Sequence, residues 1–147
     1  MKINIAAVGR IKESYYKQAL EEYDKRISRY ASLTRNFLEE EKEGRDKLEK
    51  EYAALSKFCE GYVIVADKGG QNLSSEELAQ KIKEASAKGS ITVIIGGSEG
   101  LSEKIKKQAS LLWSLSFCTL PHSLANVVLT EQLYRALTIN ANRKYHK

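Results

Sequence analysis

The sequence is short of the residues that build metal centres, disulfide frameworks and membrane spans. Only two cysteines occur, Cys59 and Cys118, widely separated, with no C-x-x-C pair and no histidine at metal-ligand spacing. That pattern excludes a zinc site and a disulfide framework and reads both thiols as reduced, half-buried fillers. Two isolated histidines, His122 and His146, cannot make an ordinary metal site, so no metal is expected. No apolar run approaches the ~18 residues a membrane span needs. The opening stretch, Met1 to Gly9, is too short for a signal peptide and lacks a small-residue cleavage pattern after it. The expectation is a cytoplasmic protein with no membrane association.

Two nucleotide-binding signatures are also missing. The first apolar run leads into Gly9-Arg10-Ile11-Lys12, a single glycine where a dinucleotide-binding or ordinary Rossmann methyltransferase turn needs several. No G-x-x-x-x-G-K-[ST] phosphate loop occurs, which argues against an NTPase.

What remains is a chain of 147 residues, 42% hydrophobic and 29% charged. This is the composition of one soluble domain able to bury a core without covalent staples. Twenty-four basic against nineteen acidic residues give +5. That excess favours a polyanionic partner but is also common in proteins that bind none.

Near-continuous apolar runs at Lys2 to Val8, Tyr62 to Ala66 and Ile91 to Ile95 suit strands of a parallel sheet covered on both faces. Thr34 to Leu38 reads as a further short strand. Between Lys12 and Tyr30 the residues Tyr16, Ala19, Leu20, Tyr23, Ile27 and Tyr30 recur at helical spacing, opposite Lys17, Glu21, Lys25 and Arg29. Such a tyrosine stripe is usually a core face with hydroxyls at its rim and only occasionally a base-stacking surface. Glu39 to Glu51 mixes both charges and reads as a solvated loop and helix face leading through Leu55 and Phe58. Ser74-Ser75-Glu76-Glu77 has capping-box spacing and opens a helix to about Ala87, closed by Gly89. Ser102 caps a helix continuing toward Leu112, Ser114 to Leu120 reads as a last strand and loop ended by Pro121, the only proline, and Leu124 to Asn140 forms a final helix. Five strand–helix alternations call for a layered α/β sheet with right-handed crossovers.

In such sheets ligands settle beyond the carboxyl ends of the strands. The loops there are Gly9 to Lys12, the glycine-rich Gly96-Gly97-Ser98-Glu99-Gly100, and Ser116 to Pro121. None holds a nucleophile–base pair. Glycines permit tight turning and let a flat ligand approach the backbone, although Gly96-Gly97 taken alone is more often a plain structural turn. The tail Asn142 to Lys147 crowds basic and aromatic groups together, as either a solvated end or a grip on RNA.

Taken in order, Ile95-Gly96-Gly97-Ser98-Glu99-Gly100-Leu101-Ser102, Trp113-Ser114-Leu115-Ser116, Thr119-Leu120-Pro121-His122, Glu131-Gln132-Leu133-Tyr134-Arg135-Ala136 and Tyr145-His146-Lys147 resemble the RlmH family of SPOUT methyltransferases. The resemblance spans essentially the whole chain and is loosest in the acidic middle. It implies a parallel sheet flanked by helices with a deep C-terminal trefoil knot, and S-adenosylmethionine as methyl donor. It implies transfer to N3 of a pseudouridine in large-subunit ribosomal RNA on the assembled ribosome, by a homodimer in which one subunit's tail completes the other's site. Carried over residue by residue, the donor contacts are Ala66, Gly97, Ser116, Phe117, Cys118, Thr119, Leu120 and Pro121. From the polar tail, His146 is the candidate base or orienter, Tyr145 its stacking or hydrogen-bonding partner, and Arg135, Arg143 and Lys147 phosphate ligands. Glu131 is a rival base, but Glu131 and Arg135 stand four apart on one helix and read as a structural pair. Three positions depart from the family: Ala66 where leucine is usual, Asn126 where an anion-binding arginine is usual, and Lys144 where proline is usual. The Ala66 and Asn126 departures keep open a non-catalytic RNA-binding or ribosome-associated module of the same fold; a transfer-RNA methyltransferase is the third reading, against which stands the lack of an appended RNA-binding domain.

Overall fold

The computed structural model describes residues 1–147 as five parallel strands and five helices in strict alternation. The strands are β1 (Lys2–Val8), β2 (Ser32–Leu38), β3 (Tyr62–Asn72), β4 (Ser90–Ile95) and β5 (Leu111–Ser114). The helices are α1 (Ser14–Ile27), α2 (Lys47–Ser56), α3 (Ser75–Ser86), α4 (Glu103–Lys107) and α5 (His122–Asn140). Sheet order is β2-β1-β4-β3-β5, so the chain crosses between non-neighbouring strands.

The alternating pleat sorts side chains between two cores. Ile3, Ile5 and Ala7 of β1, Ile91, Val93 and Ile95 of β4, and Trp113 of β5 pack with Ile27 of α1, Leu78 and Ile82 of α3, and Leu129 and Leu133 of α5. Ala6, Val8, Val63, Val65 and Ile94 face the other way, onto Leu55 of α2 and Ile105 of α4. Strands buried on both faces carry no polar alternation, which is why they read as unbroken apolar runs. Thr92 is the exception in the interior of β4, which otherwise is polar only at its first residue, Ser90. The Thr92 hydroxyl donates to the Phe58 and Glu60 carbonyls at 2.9 Å, so a fully buried polar group is satisfied.

The capping box at Ser74 forms as the spacing predicts, with Ser74 Oγ accepting the Glu77 N–H at 3.1 Å and the Glu77 carboxylate accepting the Ser74 N–H at 2.7 Å. Ser102 also caps its helix. That helix does not continue toward Leu112, however. It stops at Lys107, having buried only Ile105, and the last strand is Leu111–Ser114 rather than the Ser114 to Leu120 segment. Leu111 and Trp113 enter the larger core while Leu112 packs on the smaller one, a two-residue period the helical reading overlooked.

β3 likewise outruns Ala66. Its pairing with β5 breaks between Ala66 and Gln71, and Gly70 passes so near Leu112 that a Cβ there would lie 2.5 Å from the Leu112 main chain. Across the sheet Phe37, Ala7, Ile95, Ala66 and Trp113 stand in one row. The loops that follow them therefore open along one edge, and α5 begins there.

Candidate functional site

At that edge lies a cleft of about 710 Å³, lined from β3 by Ala66 and Asp67, from the loop after β4 by Gly96 to Leu101, and from the loop after β5 by Leu115 to Leu120. Its size falls in the range of small-ligand sites. Of the residues singled out from the sequence, Ala66, Gly97, Ser116, Phe117, Cys118, Thr119 and Leu120 line it. Pro121 does not. It stands as the N-cap of α5, its carbonyl accepting the Ala125 N–H at 2.8 Å.

The loop after β5 is held open by its own serines. Ser114 Oγ donates to the Ser116 carbonyl at 3.2 Å, and Ser116 Oγ accepts the Cys118 N–H at 2.9 Å. The N–H groups of Phe117, Thr119 and Leu120 are donated to nothing within the chain, leaving main-chain donors at the cleft wall. Phe117 is 94% exposed, an aromatic face presented beside the cleft. Cys118 is exposed as well, so only Cys59 is the half-buried thiol the sequence suggested for both.

Opposite, the irregular stretch of β3 places an ion pair that sequence reading missed. Asp67 accepts the Gly69 N–H at 2.9 Å and pairs with Lys106 at 3.2 Å. Burial lowers the Lys106 ammonium, but Glu103 and Asp67 outweigh it and hold the group above its usual range. Gly69-Gly70 after an apolar run was the available signal.

The charged middle segment departs furthest from its reading as solvated surface. Lys47 and Glu51 are each 4% exposed. Glu40, Lys47 and Ser98 join into one polar cluster against the Gly96 to Gly100 turn. No pattern in the sequence marks these residues, because a Lys among many charges looks the same whether or not the chain folds over it.

Asn126 is fully buried and acts on His122: its side-chain amide donates to the His122 carbonyl at 3.0 Å. Inaccessible, it braces the start of α5 instead of serving an anion, and its Oδ1 has no partner.

The tail residues gather elsewhere. Arg135 donates to Glu131 Oε1 from Nε at 3.0 Å and from a terminal nitrogen at 2.5 Å, the structural pair their spacing suggested. Tyr145 donates its hydroxyl to the same oxygen at 3.0 Å and lies 4.7 Å beneath the Arg135 guanidinium. Burial, with Tyr23 and Glu131 nearby, pushes the Tyr145 phenol far above the ordinary tyrosine value. His146 Nδ1 lies 3.3 Å from Arg135 and Nε2 lies 2.7 Å from Glu76. Arginine offers no acceptor, so Nδ1 accepts and Nε2–H is donated to Glu76. Arg143, Lys144 and Lys147 are exposed. Arg135, Tyr145 and His146 do not line the cleft. Along α5, Glu131 and Arg135 lie about 14 and 20 Å beyond His122 at the helical rise.

A protein-family model described as predicted SPOUT methyltransferase matches residues 1–146. The chain is 44% identical over 153 residues to the ribosomal RNA large subunit methyltransferase H of Caldicellulosiruptor saccharolyticus, covering 99% of each chain. It is 42% identical over 160 residues to the protein of that name from Clostridium novyi, covering all of both. Among solved structures, a probable methylase family protein from Haemophilus influenzae superposes with a TM-score of 0.60 at 16% identity, covering 99% of this chain and 70% of that one, which is a likeness of fold.

Proposed function

Because the chain belongs to the SPOUT methyltransferase family, and within it to the ribosomal RNA large subunit methyltransferase H family, we propose that it transfers a methyl group from S-adenosylmethionine to N3 of a pseudouridine in large-subunit rRNA on the assembled ribosome. The observation that carries this reading is the cleft beside β3, β4 and β5, which all but Pro121 of the positions that the resemblance assigns to the donor line together. S-adenosylmethionine, when bound, supplies an electrophilic methyl. The cleft suits such a molecule in size, in the undonated N–H groups of the Phe117 to Leu120 segment, and in the turn at Gly97. A deep knot in the C-terminal segment, as in the wider superfamily, is part of the same proposal.

One chain keeps the tail cluster away from its own cleft, so the complete site needs a homodimer in which each tail reaches the other subunit's cleft. The apolar girth of α5 supports this: Leu129, Leu133 and Leu137 are buried in the chain's own core, while Leu124, Val127 and Val128 remain partly exposed on other sides. Within the cluster, Arg135 orients both Tyr145 and His146. His146 is the proposed base: Arg135 occupies the one lone pair of its Nδ1 in the free chain, so that contact opens for Nδ1 to take the N3 proton as the carbon–nitrogen bond forms. Tyr145, held protonated, donates a hydrogen bond. Arg143 and Lys147 remain free to meet phosphate. No helix is long and apolar enough to cross a membrane, and a cytoplasmic site of action fits a ribosomal substrate.

The test is nucleoside mass spectrometry on ribosomes from a methylation-deficient strain, incubated with the protein and S-adenosylmethionine. A new N3-methylated pseudouridine is expected. Methylation of transfer RNA instead would move the substrate assignment, and donor binding without any methylated nucleoside would favour the non-catalytic module.

A further inference from the structure

Glu40 leaves the carboxyl end of β2 and crosses to the loop after β4. There its Oε1 accepts the Ser98 N–H at 2.8 Å, the Ser98 hydroxyl, and the Lys47 ammonium at 3.0 Å. Lys47 in turn reaches Ser98 Oγ at 3.2 Å. The Lys47 side chain is only 3% exposed, so α2 has folded an ammonium group almost wholly out of water onto this carboxylate. Bringing such a charge inside is costly and is a poor way to gain stability. What it secures here is geometry, because a charged three-way contact fixes Ser98 more firmly than neutral bonds do. The neighbouring residue is Gly97. A Cβ built on Gly97 would lie 2.8 Å from Glu40 Oε1 and 3.0 Å from Val8 Cγ1, so one side of the Gly97 backbone is packed directly on this clasp. Gly97 and Ser98 both line the 710 Å³ cleft, and both also line a smaller neighbouring cleft shared with Gly9, Arg10 and His122.

We propose that Glu40 is a positioning residue of the donor site: with buried Lys47 it clasps Ser98 and thereby sets the Gly97 turn in the shape that receives the donor. The inference rests on the reading that the donor occupies this cleft. Contacts from Ser98 first, and then from Lys47, hold the Glu40 carboxyl at about 2, so it stays charged at neutral pH. Glu51 lies near Lys47 from within α2, and Glu99 from the turn itself, so each would leave Lys47 some compensation if Glu40 lost its charge. Neither carboxylate hydrogen-bonds to Ser98, whose side-chain partners are Glu40 and Lys47.

Calorimetric titration with S-adenosylhomocysteine, run beside steady-state methylation of ribosomes, tests the proposal on the full chain. Glu40→Gln is expected to weaken product binding about tenfold and to raise KM for the donor by a similar factor, since a charged contact is replaced by a neutral one. Its kcat at saturating donor and its KM for ribosomes should stay near wild type. A role confined to fold stability would instead lower kcat through the folded fraction and leave the donor KM alone. Ser98→Ala, at an exposed position, keeps the Glu40–Lys47 pair and is expected to weaken binding roughly threefold; it decides the matter if Glu40→Gln does not fold. Affinities within about twofold of wild type for the folded variants, with wild type binding normally, would overturn the role of Glu40 and leave the donor reading intact. Absence of binding by wild type at millimolar concentration would remove the donor reading and this inference together.

Discussion

The cleft and the tail cluster are both polar, yet they are built in opposite ways. The cleft is an open space between segments: an irregular stretch of β3 with its Asp67–Lys106 pair, a glycine turn, and a loop braced by two serines whose N–H groups are in part undonated. The tail cluster consists of side chains locked to one another, Glu131 accepting from both Arg135 and Tyr145 while His146 bridges Arg135 and Glu76. An open cleft with undonated N–H groups recognises a ligand by fit and by hydrogen bonds to edges, whereas the interlocked acid, base and cation are where the proposed proton transfer would act. Binding and turnover should therefore respond to different substitutions.

The largest effect is expected at the centre of the tail cluster. Arg135→Ala removes both bonds to Glu131 and the donor to His146 Nδ1, leaving the candidate base unoriented. Methylation turnover should fall about 100-fold or more, while calorimetry should find S-adenosylhomocysteine affinity within about twofold of wild type. Equal losses in both quantities would mean that the two regions are one, and the division of labour would be wrong.

A smaller effect of opposite kind is expected at Gly97. The added methyl of Gly97→Ala meets Glu40 Oε1 and the buried Val8 side chain. A glutamate oxygen normally moves aside at little cost, but this one is held by Ser98 and Lys47, so yielding means opening the clasp. Donor affinity should drop roughly tenfold, the lower end of an overpacking penalty, with turnover at saturating donor changed less than about threefold. An unaltered dissociation constant would show that the turn tolerates the shift.

The two regions were not equally legible beforehand. β1, α3 with its capping box, and the buried β4 could be read closely because local pattern and tertiary fate agree in them. Sheet topology pointed to the loops that line the cleft and the family motifs to particular positions within them, but the Asp67–Lys106 pair that faces them is made by residues far apart in the chain and has no local signature. Lys47 and Glu51 show the reverse failure. Their chemistry was visible, but burial of a charge is decided by what folds over it, and the strong local rule that charged runs are solvated pointed the wrong way. At β5, helical and extended periodicities competed over four residues, too few to separate them, until pairing with β3 decided for the strand.

The smallest expected effects lie in the pH dependence of stability, where the regions should part in direction. Glu40 has its carboxyl lowered to about 2, chiefly by the bonds from Ser98. A depressed carboxyl stabilises the fold fully above the ordinary carboxylate value and loses that contribution as pH falls toward the folded value. Tyr145 is shifted the other way, first by burial, so its contribution is complete below the ordinary tyrosine value near 10 and is lost as pH rises beyond it. In urea unfolding, the stability gap between wild type and Glu40→Gln should be flat above about pH 5 and narrow from there toward pH 2. The gap between wild type and Tyr145→Phe should be flat below about pH 9 and change only above about pH 10. Acid would then loosen the wall of the donor cleft while sparing the Tyr145 contact, and alkali the reverse. A gap for Glu40→Gln that stayed constant down to pH 2 would mean that the Glu40 carboxylate is no more stabilised in the folded protein than in the unfolded chain, and the charged clasp would lose its physical basis.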